Sequence, residues 1–145
     1  MVVCIVKSKV KPLIKRFICL AAAVLLLLFF SSCGYGSEYV SKYKAVGFIH
    51  SNTPDPSYMI FHSFEGTKVF KMKCGREGDI SYKGHLESGS LKVFYDYGTG
   101  KTELFSLSGG DAVDSRGGYV EPGTVYIIVE TDGPCSGGDV EFSLQ

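Results

Sequence analysis

Few side chains in this 145-residue chain are of types that do chemistry. There are five cysteines, Cys4, Cys19, Cys33, Cys74 and Cys135, and three histidines, His50, His62 and His85, in three separate segments. None stands at the close CxxC or HxxxH spacing of a metal site. Nor does the chain contain GxSxG, HExxH, a phosphate-binding glycine loop or a dinucleotide fingerprint. Asp111 and Asp114, with Asp132 and Asp139 in other turns, offer the oxygen ligands that calcium prefers. Their spacing departs from the twelve-residue calcium loop, and Asp in glycine-rich turns caps nearby backbone N–H groups. The sequence therefore predicts no enzyme, no cofactor and no metal.

Cys33 is different, because of what precedes it. Lys7, Lys9, Lys11, Lys15 and Arg16 come without any acidic residue, residues 17–30 form an apolar core too short to span a bilayer comfortably, and Phe30-Ser31-Ser32-Cys33 closes it. This arrangement resembles the lipobox signal peptide of bacterial lipoproteins, with Phe30 where that family usually has leucine. The resemblance implies that Cys33 receives a diacylglycerol, that residues 1–32 are removed, and that the protein sits lipid-anchored on a cell membrane or outer membrane with its domain outside the cytoplasm. The alternatives are an uncleaved signal anchor, or secretion with cleavage near Ala21, Ala22 and Ala23 inside the apolar run.

Without the leader, ten basic residues face fifteen acidic ones, a formal charge of −5. No Lys/Arg cluster follows Arg16, so nucleic acid is an unsuitable partner. The 113 residues from Cys33 onward suffice for one core and not two. Cys4 and Cys19 leave with the leader, and acylation occupies Cys33. In an exported domain the remaining pair, Cys74 and Cys135, points to one disulfide. Its loop of about 60 residues would contribute on the order of 4 kcal/mol. Two reduced thiols are the other reading. Export argues against either thiol as a nucleophile.

Residues 34–44, polar with Tyr35, Tyr39 and Tyr43, read as a linker, so that residues 33–45 form a lipidated tether and residues 46–145 the domain. Beyond it the pattern is β. Residues 58–64 and 68–74, split by the turn signal Glu65-Gly66, predict a hairpin. In its second arm Lys68, Phe70, Met72 and Cys74 point inward and Val69, Lys71 and Lys73 outward. Residues 79–82, 90–95, 104–105, 125–130 and 139–144 add strands, with Leu91, Val93 and Tyr95 on one face and Val140, Phe142 and Leu144 inward. Turns fall at residues 96–100, 121–123 and 132–134. No sustained helical period follows Cys33, so the fold class is an all-β antiparallel sandwich of seven or eight strands.

Residues 87–96, 121–129 and 136–142, with a proline-glycine turn feeding a central strand, are similar to small exported β-sandwich lipoproteins of unknown function. The resemblance implies a jelly-roll or carbohydrate-module-like sandwich and no catalytic residue. Function is then left to loops. The longest break between predicted strands, residues 108–118, combines Asp111, Asp114 and Arg116 with the adjacent Tyr119 and is the expected contact loop. Tyr58, Phe61 and Phe64 suit either a sugar-stacking platform or plain core. The expected function is a membrane-anchored, non-catalytic binding or adaptor module for an envelope protein or polysaccharide. The alternative is a structural spacer or accessory subunit of an envelope assembly.

Overall fold

A computed structural model describes residues 39–53 and 55–145. The leader and Cys33 lie outside the described residues. Nine antiparallel strands are present among those described: β1 (Lys42–Val46), β2 (Ile49–Ser51), β3 (Ser57–Cys74), β4 (Gly78–Ser88), β5 (Ser90–Asp96), β6 (Thr102–Ser108), β7 (Ala112–Val120), β8 (Gly123–Thr131) and β9 (Cys135–Leu144). The fold is all-β and antiparallel, as the alternation predicts.

The register reveals a simpler path than nine strands suggest. Along β3, residues from Ser57 to Phe64 pair with β9, and residues from Thr67 to Cys74 pair with β8. Across the next rank, β4 pairs with β9 and β5 with β8; beyond it, β7 pairs with β4 and β6 with β5. Thus β4–β5, β6–β7 and β8–β9 are each one long strand interrupted at Gly89, at residues 109–111 and at residues 132–134, while β3 passes the same line unbroken. Strand paths that change sheets at such breaks double a sheet back on itself. One layer is β1/β2–β3–β9–β4–β7, and the other is β3–β8–β5–β6.

Aromatic contacts join the layers. Tyr82 of β4 stacks on Phe105 of β6 at 4.7 Å, and Phe105 meets Phe142 of β9 at 6.3 Å, although these pairs share no ladder. Phe64, Phe70 and Phe142 are fully buried with Met59, Met72, Ile80 and Leu86. Burial of each such side chain contributes about 1.5–3 kcal/mol. The inward parity of Phe70, Met72 and Cys74 is as expected, and so is that of Val140 and Phe142. Phe61 and Phe64 are core, so they form no sugar platform.

Four expectations change. Residues 58–74 are one strand rather than a hairpin: Gly66 adopts φ +119° and its N–H donates to Thr131 Oγ1 at 2.9 Å, so Glu65-Gly66 carries the strand across the fold line instead of reversing it. The expected loop at residues 108–118 shrinks to a three-residue turn, because β7 pairs with β4 from Ala112 onward. Part of the expected tether is built into the domain: Lys42–Val46 is a strand, and the Tyr39 hydroxyl donates to Asp96 Oδ2 at 2.7 Å. Finally, Cys74 and Cys135 are free thiols. Cys135 lies opposite Phe64, ten residues along β3 from Cys74, a strand length of roughly 30 Å against the ~7 Å limit for a bridge.

Candidate functional site

Because the breaks gather at one end of the sandwich, the true loops gather at the other. Residues 75–77, 97–101 and 121–122 connect strands there, beside Asp55 and Gln145. Asp96, buried at the end of β5, organises the second of these: its Oδ1 accepts from the N–H groups of Gly98 and Gly100 at 2.7 and 3.1 Å. That loop holds Tyr97 with its ring parallel to Tyr95, centroids 6.3 Å apart.

The neighbouring strand delivers a third tyrosine. Gly118 adopts φ +71°, and a Cβ there would come within 2.8 Å of Leu104 Cδ1 and 3.2 Å of Tyr95 Cε1. Only glycine lets β7 pass this close to Tyr95. The next residue, Tyr119, then projects outward, 49% exposed, and donates its hydroxyl to Glu77 Oε2 at 2.8 Å. That hydrogen bond leads the causes that push its phenol above the usual range, with smaller contributions from slight burial and from the charges of Glu77, Glu121 and Tyr97. Tyr97, half-buried against the core, and the exposed Tyr119, 22 residues apart in sequence, thus come near one another at this end, beside Glu77 and Glu121. Such a surface offers aromatic faces and charged hydrogen-bond acceptors, and no group poised to break a covalent bond. Beside it, an open cleft of about 350 Å³ is lined by Asp55, Lys73, Cys74, Gly75, Arg76, Leu144 and Gln145.

The residues expected to form a contact loop fare differently. Tyr119 belongs to this site. Asp114 and Arg116 lie on the outward side of the same edge strand: Asp114 pairs with Lys83 at 3.6 Å, both exposed, and Arg116 Nη2 donates to Gln145 Oε1. Asp111 is structural, its Oδ2 accepting from Ser108 N–H at 2.7 Å to close the turn between β6 and β7. Sequence reading missed Glu77, Glu121, Tyr95 and Gly118. The signal was the pair of glycines before Tyr119, which it read as loop.

The thiols are bound to backbone. Cys74 Sγ donates to the Arg76 carbonyl at 2.7 Å and Cys135 Sγ to the Phe64 carbonyl at 3.1 Å. Burial pushes the Cys135 thiol up to about 11, which keeps it protonated and unreactive. His50 stacks on Phe48 at 5.0 Å, and its pKa is lowered by burial and by the charge of Lys68. His62 and His85 are exposed on the outer face of the first layer. Among the described residues no three His, Cys, Asp or Glu side chains converge as metal ligands.

No family model and no curated protein matches the chain. Solved structures that resemble it include CsCBM6-3 from Clostridium stercorarium in complex with cellobiose, at 14% identity and a TM-score of 0.40, covering 76% of this chain and 89% of that one. A carbohydrate binding module of family 29 resembles it at 15% identity and 0.39, covering 71% and 74%. The pre-peptidase C-terminal domain of collagenase from Bacillus anthracis does so at 16% and 0.39, covering 55% and 77%. At these values the likeness is one of β architecture, and the functional reading rests on this chain's own residues.

Proposed function

We propose that this protein is a bacterial lipoprotein, anchored through Cys33 outside the cytoplasm, whose β-sandwich is a non-catalytic module binding an envelope polysaccharide at its loop end. The observation that carries the reading is the Tyr119–Glu77 hydrogen bond beside Tyr97, a tyrosine surface braced by Gly118 and by the Asp96-capped loop. Aromatic rings stack on the apolar faces of sugars, while carboxylates take their hydroxyl hydrogens in charge-assisted bonds. A domain with a formal charge of −5 favours neutral or cationic polymers over anionic ones. The leader, its apolar core and the two serines before Cys33 support the anchor.

The test is affinity electrophoresis of the purified protein through gels containing individual cell-wall polysaccharides. Retardation by at least one polymer is expected, with Tyr97→Ala and Tyr119→Ala each weakening it by about tenfold, the loss of roughly 1.4 kcal/mol that one stacking ring supplies. Unchanged retardation of the double variant would remove the site. Capture of a protein partner through the same residues, with no polymer bound, would convert the reading to an adaptor. Intact mass of the membrane-extracted chain decides the anchor separately: an acylated Cys33 at the N-terminus is expected, and an intact leader would refute it.

A further inference from the structure

The edge formed by β1 and β2 differs from the rest of the surface in both polarity and charge. Ala45 of β1 packs against the core, and Tyr43, on the same parity, meets Phe64 at 5.4 Å while staying 36% exposed. The opposite parity turns Lys42, Lys44 and Val46 outward. Gly47, at φ +57°, then shifts the alternation by one residue, so that Phe48 packs inward and Ile49 emerges outward, directly across from Ile60 of β3. Val46, Ile49 and Ile60 are 64%, 60% and 48% exposed, Ile49 lying opposite Ile60 and Val46 opposite Ser63 three residues along β3. Three large aliphatic side chains on one edge form an apolar patch, which scattered single exposures do not.

Charge is segregated in the same place. Strands β1 and β3 carry Lys42, Lys44, Lys68, Lys71 and Lys73 against the single acid Glu65. The other described residues carry five basic groups against thirteen acidic ones. Of these lysines, Lys42 and Lys44 face outward on the strand that carries Val46, whereas Lys68 is buried and Lys71 and Lys73 lie in the half of β3 that pairs with β8. The chain from Cys33 enters β1 past Tyr39, which lies over the second layer. Tyr39 is fixed by its hydroxyl on Asp96 and by its ring against Tyr126 at 5.6 Å. Tyr39 is six positions from Cys33, so full extension reaches only about 20 Å.

We propose that the β1–β2 edge, with Val46, Ile49 and Ile60 flanked by Lys42 and Lys44, lies directly against the anionic surface of the membrane that holds the anchor. The inference rests on the lipid anchor proposed above, which brings this edge within reach of headgroups. Apolar side chains enter the headgroup boundary while lysines beside them meet anionic lipid, each strengthening attachment by about fivefold. Contact is through the edge rather than the flat sheet, because moving inward along the row from Ile49 and Ile60 places Asp139 and then His85 and Ala112 on that outer face, with Glu141 and Asp114 in the next row.

The chain contains no tryptophan, so a single introduced indole reports its own surroundings. Full-length protein carrying Ile49→Trp, extracted from membranes, is reconstituted into vesicles of phosphatidylethanolamine and brominated phosphatidylglycerol. Ala112→Trp, on the same face about 19 Å away across four strand spacings, is the control. Strong quenching of the indole at position 49 is expected, with little at position 112. Lys42→Gln with Lys44→Gln should shift the docked fraction about 25-fold downward, as should replacing phosphatidylglycerol with neutral brominated lipid. Equal quenching at both positions, or none at position 49 in a chain whose mass shows the acyl group, overturns the edge contact and leaves the anchor standing. A blue shift at position 49 that follows protein concentration without lipid overturns it in favour of self-association. Quenching at position 49 in a chain that proves unacylated keeps the contact and removes the anchor.

Discussion

Gly89 sits where the β4–β5 path crosses the fold line, at φ +97°. A Cβ there would stand 2.7 Å from Cys135 Cβ, 2.8 Å from Cys135 Cα and 2.9 Å from the Pro134 carbonyl oxygen. Those neighbours are backbone and near-backbone atoms of the adjacent break, so no rotamer change relieves the overlap. Gly89→Ala therefore combines backbone strain of about 1–3 kcal/mol with overpacking of about 1–3 kcal/mol, a total of ~2–6 kcal/mol. Gly98→Ala isolates the first part, since Gly98 has φ +108° and nothing within contact distance of its Cβ. With a urea m-value of about 2 kcal/mol/M, the Gly89→Ala midpoint should fall by roughly 1–3 M, and the Gly98→Ala midpoint by about 0.5–1.5 M. Equilibrium unfolding followed by far-ultraviolet circular dichroism measures both. Equal midpoints for the two variants would refute the argument that the breaks pack against one another along a common line.

Thiol labelling should find Cys74 and Cys135 slow to react in the native protein and both reactive in denaturant without reductant; loss of both labels in the unreduced, denatured protein would mean that a bridge forms despite their separation. Lys68 is 8% exposed, its ammonium 5.3 Å from the Phe70 ring and 5.8 Å from that of Tyr43, and burial lowers its pKa. Lys68→Met should be neutral to about 2 kcal/mol stabilising near neutral pH, because the desolvation of the charge exceeds what the rings return. The unfolded chain holds the Lys68 proton up to about 10.4 while the folded chain releases it at lower pH, so this residue makes stability rise with pH across that interval. A urea midpoint whose pH dependence is identical in Lys68→Met would contradict the burial argument.

The fold class was legible because its signal is local. Alternation in residues 68–74 and 139–144 identifies both inward faces without knowledge of their partners, and the partners confirm it. Glu65-Gly66 misled for a physical reason: glycine at positive φ serves a reversing turn and a sheet-crossing bend equally, and only the continuation of β3 onto β8 from Thr67 distinguishes them. Residues 108–118 misled because an edge strand is polar by necessity, and Asp114, Ser115 and Arg116 blunt it against further pairing. Two edge N–H groups of β3 are covered similarly, Val69 by Ser41 Oγ at 2.9 Å and Lys71 by Asn52 Oδ1 at 3.2 Å. The tyrosine site was invisible as a unit because Glu77 and Tyr97 come from two separate connections and Tyr119 from strand β7, and strand order alone brings them together.

Strand order also relates the two surfaces proposed here. Tyr119 lies on β7, the edge of the first layer opposite β1 and β2, with β3, β9 and β4 between them. With the β1–β2 edge against the bilayer, the strands run along the membrane and β7 stands four strand spacings, about 19 Å, farther out. The tyrosine surface is then carried on the side of the domain away from lipid, where a polymer outside the membrane can reach it. β7 itself is balanced, with one acid, Asp114, and one base, Arg116, so the charge that favours the opposite edge as the one facing anionic lipid is that of Lys42 and Lys44 on β1.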